Sequence, residues 1–271
     1  MARGRTVKTL MQRWDGVALA RRPDELIVEE PLEIHLDGHL VGTTMRTPGH
    51  DFELAIGLCH GDGLLRGAPV ESCRYCAPGS AVETGFNIVT VDTGGRAPVP
   101  TPRLSATSSA CGLCGSTALD ELQARIGPIS TGDAWPVDLL ALIPGSVRSQ
   151  QPLFDATGAV HAAAAFDRAG LVTLVREDIG RHNAVDKVVG RLHLDGALPA
   201  TDLGLYVSGR AAFEIVQKAW AAGFSAVVAV SAPSALAVDA ARAAGITLAG
   251  FVRASGEASS TCNVYSPEPG R

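Results

Sequence analysis

The chain has 271 residues, 46% of them hydrophobic, with 23 Lys and Arg against 28 Asp and Glu, for a net charge of −5. This length accommodates two modest domains, since single domains commonly run about 100 to 200 residues. The acidic balance excludes a general nucleic-acid coat or a polybasic membrane anchor, both of which need surplus cations, so a phosphate-bearing ligand has to be met locally.

The N-terminal MARGRTVKTLMQRWDG is polar and basic but has no apolar stretch of about 7 to 15 residues behind it, as a secretory signal would. No run approaches the roughly 18 apolar residues that span a bilayer. A cytoplasmic location without membrane association is expected. Thiols there stay reduced, so Cys59, Cys73, Cys76, Cys111, Cys114 and Cys262 are catalytic, metal-binding or inert rather than paired.

Residues 31 to 45 alternate around Asp37-Gly38, a dipeptide suited to the positive φ angles of a tight hairpin turn, which predicts two antiparallel strands. Phe52, Leu54, Ala55 and Leu58 follow Pro48-Gly49 at helical spacing, and 86 to 91 reads as a strand. Residues 94 to 117 are rich in Gly, Pro, Ser, Thr and Ala, the composition of an exposed, mobile segment, with Cys111 and Cys114 at its end. A helix with Thr117 and Asp120 at its cap, Leu119, Leu122 and Ile126 on its apolar face, and Gly127-Pro128 as its stop comes next.

The last hundred residues alternate: strand 171 to 175, helix 182 to 192, strand 204 to 207, helix 211 to 222, strand 226 to 230, helix 235 to 244, strand 246 to 252. That rhythm predicts a layered α/β sheet whose ligands bind beyond the strand ends, where Ser208-Gly209-Arg210 and Arg253 fall.

A thiolate can take up a sulfane sulfur, hold it as a persulfide and surrender it, provided it is exposed and substantially ionised near neutral pH. The Cys111-Gly112-Leu113-Cys114-Gly115 loop is exposed by composition, and a helix N-terminus just downstream favours the anion. Glycines 112 and 115 leave the backbone free to present either sulfur. A C-x-x-C pair equally suits a redox couple or half of a zinc site. Cys73 and Cys76 with Cys111 and Cys114 would complete four thiolates, although the 34 residues between the pairs exceed the usual spacing of about 15 to 20.

Taken together, Arg46 to Gly57 (RTPGHDFELAIG), Ala110 to Gly115, Gly158 to Ala163, Arg176 to Lys187 (REDIGRHNAVDK), Ser208 to Arg210, Gly250 to Arg253 and Asn263 to Tyr265 resemble the formate dehydrogenase accessory sulfurtransferase family, FdhD, over nearly the whole chain. The resemblance implies a small N-terminal α+β domain, 1 to 116, ending in the cysteine loop, and a cytidine-deaminase-like three-layer α/β domain, 117 to 271. It implies a sulfur carrier that moves persulfide sulfur from a cysteine desulfurase to molybdenum bis(molybdopterin guanine dinucleotide). This cofactor is bound as a substrate before its insertion into the formate dehydrogenase catalytic subunit. Cys111 would be the persulfide carrier and Cys114 its assistant. The implied cofactor-binding stretch is Phe251, Val252, Arg253, Ala254, Ser255 and Gly256, with Arg253 able to engage a phosphate or guanine. A homodimer is expected, with no structural metal and no nucleic acid.

Arg181 and His182 are assigned to the cofactor site because a helix N-terminus at a strand end is a ready anion site. Ser208, Gly209 and Arg210 join them, with Gly209 allowing a tight turn and Arg210 reaching into the crevice. Asp178 and Asp186 are read as partners orienting nearby cations, and His161 as a partly buried histidine that could line the same pocket. A deaminase needs His, two Cys and a Glu in an H-x-E with P-C-x-x-C arrangement; His182-Asn183-Ala184 lacks the Glu and 208 to 212 lacks the cysteines. The remaining alternatives are a cofactor-binding chaperone without sulfur transfer and a zinc-stabilised scaffold.

Overall fold

The computed structural model describes residues 4–75, 82, 85–101, 115–129, 134–253 and 260–267. The chain begins with a two-stranded antiparallel ribbon, β1 (Thr6–Trp14) and β2 (Leu19–Ile27), which the polar opening sequence did not signal. β3 (Glu30–Leu36) and β4 (His39–Arg46) then form the expected hairpin, with Asp37 at φ 48 and Gly38 at φ 82 in its turn. α1 (Asp51–Gly61), β5 (Ser72–Tyr75) and β6 (Ile88–Asp92) complete a four-stranded sheet of order β4-β3-β6-β5. Its alternation places Leu32, Ile34, Leu36, Val89 and Val91 on one face, packed with Leu54, Ala55 and Cys59 of α1.

The second unit comprises α2 (Gly115–Arg125), α3 (Val137–Arg148), α4 (Pro152–Thr157), β7 (His161–Phe166), β8 (Val172–Asp178), α5 (Arg181–Leu194), β9 (Gly204–Val207), α6 (Phe213–Ala222), β10 (Ala226–Ala229), α7 (Ala235–Ala244), β11 (Thr247–Arg253) and β12 (Thr261–Ser266). Its sheet runs β12-β11-β10-β9-β7-β8. β9, β10 and β11 are parallel, as β-α-β crossovers require, while β7, β8 and β12 pair antiparallel. On one face Ala163, Ala165, Val207, Val227 and Leu248 meet α5, α6 and α7; on the other Ala162, Ala164, Phe166 and Val228 meet Leu140, Ile143 and Val147 of α3. Three layers result. Leu122 of α2 joins the first core with Leu119 and Ile126 against it, as their spacing predicts, although the helix begins at Gly115, two residues before the expected Thr117 cap.

The two units are stacked through helices. α1 lies on α5 so closely that a Cβ on Gly57 would sit 1.8 Å from the Asp186 carbonyl oxygen, and one on Gly190 would sit 1.8 Å from the carbonyl oxygen of Glu53. Only glycines permit that backbone contact. The order of layers is therefore four-stranded sheet, α1, α5 with its neighbours, six-stranded sheet, α3.

Candidate functional site

The junction between units is polar and buried. Arg46, fully buried, donates to both carboxylate oxygens of Asp51 at 3.1 and 2.9 Å, and further to Glu30 and Asn87 at 3.2 Å. Thr47 and Thr44 reach across to the second unit. The Thr47 amide donates to Asp178 Oδ2 (3.2 Å), Thr47 Oγ1 accepts from the Ile179 amide (3.1 Å), and Thr44 Oγ1 donates to Asn183 Oδ1 (3.1 Å). Asp178 is fully buried, with Lys187 Nζ 2.6 Å away and the Gly180 amide at 2.8 Å. Glu53 of α1 takes a bidentate bond from Arg176 at 2.6 and 2.8 Å. Burial alone would raise that carboxyl, but the bonds from Arg176 and His50 outweigh it and hold it at about 2. The expectation that Asp178 and Asp186 partner cations holds, with Lys187 and with Lys218 (2.7 Å) respectively. The long-range members, Arg46, Asp51, Glu53 and Thr47, carry no local sequence signal for this role.

This clamp fixes the start of α5, and α5 starts at the carboxyl edge of the six-stranded sheet. β8, β9, β10 and β11 all end there, and α5, α6 and α7 all begin there. Three helix N-termini face one edge, those of α5 and α6 without a side-chain cap and that of α7 capped by Ser234, whose Oγ accepts from the Ala237 amide. His161 at the start of β7, Arg181, Ser208 and Gly209 are brought together: a Cβ at Gly209 would lie 3.6 Å from both Arg181 Cδ and His161 Nδ1. His161 Nδ1 lies 3.3 Å from Ser208 Oγ, which also accepts from the Ala162 amide at 2.9 Å. Burial, then the Arg181 charge, depresses the His161 pKa, so the ring is neutral at pH 7. Arg181 Nε is buried without a hydrogen-bond partner among the described residues, which leaves a donor for an acceptor that those residues do not provide. His182 Nε2 sits 3.0 Å from Glu214 Oε2, within ion-pair distance but not aligned for a hydrogen bond.

Phe251 and Arg253 also reach this edge. Phe251 is exposed, at φ 53, with its amide donating to the Ser231 carbonyl at 3.2 Å. The Arg253 guanidinium folds over the end of β10, donating to the Val230 carbonyl and, at 3.2 Å, to that of Val252. The Val252 side chain is buried in the α3-side core, so packing fixes its choice and only its backbone is left to a ligand. Arg210 is exposed at the end of the β9 turn. Ala254, Ser255, Gly256, Cys111 and Cys114 lie outside the described residues, as does Cys76; α2 begins at Gly115, the residue after Cys114. Among the described residues no group of three or more His, Cys, Asp or Glu is arranged to hold a metal, and burial pushes the Cys73 thiol up to about 12. Asn183, between His182 and Ala184, is committed to Thr44, Met45 and Asp178.

The model of the FdhD/NarQ family matches residues 27–271. The chain belongs to the FdhD/NarQ family. Among FdhD/NarQ relatives, a sulfur carrier protein FdhD from Nocardia farcinica is 50% identical over 251 residues, covering 91% of this chain and 88% of its own. Another from Corynebacterium efficiens is 45% identical over 248 residues, covering 86% and 87%. The fold is shared with the crystal structure of a candidate formate dehydrogenase accessory protein from Desulfotalea psychrophila, at TM-score 0.71 and 20% identity over 96% of each chain. No helix among the described residues is long and apolar enough to cross a membrane.

Proposed function

We propose that this FdhD/NarQ chain is a sulfur carrier for formate dehydrogenase, acting in the cytoplasm as a homodimer. It takes persulfide sulfur from a cysteine desulfurase and delivers it to molybdenum bis(molybdopterin guanine dinucleotide), carried as substrate, before that cofactor enters the formate dehydrogenase catalytic subunit. Cys111 is the carrier: its thiolate attacks the sulfane sulfur of the desulfurase persulfide, the donor S–S bond breaks, and the desulfurase leaves as a thiolate. Cys114 assists.

The observation that carries the reading is the carboxyl edge, where Arg181, whose Nε has no partner among the described residues, His161 and Ser208 lie beside three helix N-termini in an otherwise acidic protein. Such an edge fits the phosphates of a dinucleotide cargo. The start of α2 at Gly115 supports the persulfide chemistry, because the free N–H groups of a helix start lower a nearby thiol's pKa. Arg210, Phe251 and Arg253, with Ala254, Ser255 and Gly256 following, would extend the same site.

Intact mass after incubation with a cysteine desulfurase and cysteine tests it. The wild type gains one reductant-labile sulfur, and Cys111→Ala does not. No gain in wild type while the desulfurase itself is loaded would refute the carrier role and leave the cofactor-binding chaperone. Stoichiometric zinc in the purified protein would favour the scaffold.

A further inference from the structure

The β1–β2 ribbon lies outside the site described above, with β2 against α4. It precedes the family match, which begins at its last residue, and it rises from the junction: the Val28 amide donates to the Arg5 carbonyl at 2.8 Å, and the Arg5 guanidinium lies 2.7 Å from where a Gly49 Cβ would be. Its turn is built rather than slack, with Asp15 Oδ1 accepting from the amides of Val17 and Ala18 at 3.0 Å. Both strands are otherwise largely exposed.

Cross-strand partners share a face. The register pairs Leu10 with Pro23 and Trp14 with Leu19, which puts these four on one face with the Gln12–Arg21 pair between them, and Leu10, Trp14 and Leu19 are 71%, 60% and 61% exposed. β2 touches α4 of its own chain, but a two-stranded ribbon is marginal in water, and large exposed apolar side chains on one mark a docking surface. The charge is equally uneven. Residues 1 to 27 hold six Lys and Arg against three Asp and Glu, a net +3, which leaves −8 for the rest of the chain. Two ribbons laid on each other would repel, whereas a ribbon laid on the acidic body of another copy is attracted. The 22 residues from Thr6 to Ile27 also match the roughly 20 to 30 residues per side of a standard interface.

We infer that the β1–β2 ribbon is an exchanged arm: each copy lays its Leu10, Trp14, Leu19 face on the body of a second copy, and the two reciprocal contacts form the dimer. This rests on the homodimer of the proposed function and names its interface. Because Arg5 at the base of the arm meets Gly49 of the Thr47–Gly49 loop, whose neighbours Asp178 and Lys187 fix the start of α5, dimer formation bears on the segment that carries Arg181.

Size-exclusion chromatography with light scattering on the full chain, over a dilution series, tests the arm. Wild type is expected at twice 28.0 kDa. Leu10→Asp with Trp14→Asp raises the dissociation constant at least about tenfold, as loss of central aromatic and aliphatic anchors does, and Arg21→Glu with Arg22→Glu weakens it and removes its salt dependence. Leu171→Asp, another exposed apolar site, 64% exposed but off the ribbon, leaves the dimer intact. The ribbon contributes nothing to the cores, so circular-dichroism melting above the dissociation range stays at wild type. A wild-type monomer would overturn both the arm and the homodimer. A dimer indifferent to all ribbon variants would overturn the arm alone.

Discussion

Replacing Gly57 or Gly190 by Ala sets two known effects against each other. Alanine is the better helix former by about 1 kcal/mol, so in an exposed helix either change stabilises. Here the new methyl meets a backbone oxygen at 1.8 Å, Asp186 in one case and Glu53 in the other. Neither oxygen can turn aside as a side chain would. α1 and α5 must move apart by roughly 1.5 Å, which strains the Arg176–Glu53 and Thr47–Asp178 bonds that span the same interface. At 1.8 Å from a backbone oxygen the cost lies at the top of the roughly 1 to 3 kcal/mol range for overpacking, so after the gain of about 1 kcal/mol the clash wins, with a net loss of about 2 kcal/mol. That corresponds to a fall in Tm of roughly 4 to 8 °C for a chain of this size. Urea unfolding followed by circular dichroism reads it directly. The double variant distinguishes mechanism from accident, since one separation of the helices relieves both clashes and its cost falls short of the sum of the singles. Either single variant unfolding at or above the wild-type urea midpoint would refute the close-packing argument.

Glu53, held at about 2 when folded against an ordinary value of 4.5, contributes stability that is complete above pH 4.5 and lost as pH falls from there toward 2. Glu53→Gln should therefore flatten the Tm-against-pH curve in that window, and an unchanged slope would count against the Arg176 pair. Lys187→Met leaves the buried Asp178 carboxylate without its counter-charge, a loss of about 3 to 5 kcal/mol by chemical denaturation; adding Asp178→Asn should restore part of it. Gly209→Leu fills the space between Arg181 and His161, so calorimetric titration with guanosine diphosphate should show binding lost while Tm moves little, whereas retained affinity would place the phosphates elsewhere.

Elements with a local signature were legible. Asp37-Gly38 marked its hairpin, and strand 204 to 207 and helix 235 to 244 fell where their periodicity put them. α3 was hidden by Pro144 in its interior, and β7 by an alanine run that reads as neither helix nor strand but suits a strand buried on both faces. The ribbon escaped because its exposed strands lack a buried face to impose alternation. At the site, Arg181, Ser208 and Gly209 could be placed at strand ends from element order alone. His161 joins them only because β7 runs antiparallel beside β9, and Glu53 meets Arg176 across 123 positions, separations no local pattern encodes.

The clamp between Thr47 and Asp178 also has a consequence in time. Its halves lie 131 positions apart, and a ribosome adding about 5 to 20 residues per second leaves on the order of ten seconds between their syntheses. Throughout that interval the glycine face of α1 has no α5 to cover it, and Arg46 and Glu53 sit at an unfinished surface. The nascent N-terminal half thus keeps this polar, glycine-lined surface uncovered until α5 is made, and its yield in a foreign host should depend on elongation speed more than on its final stability.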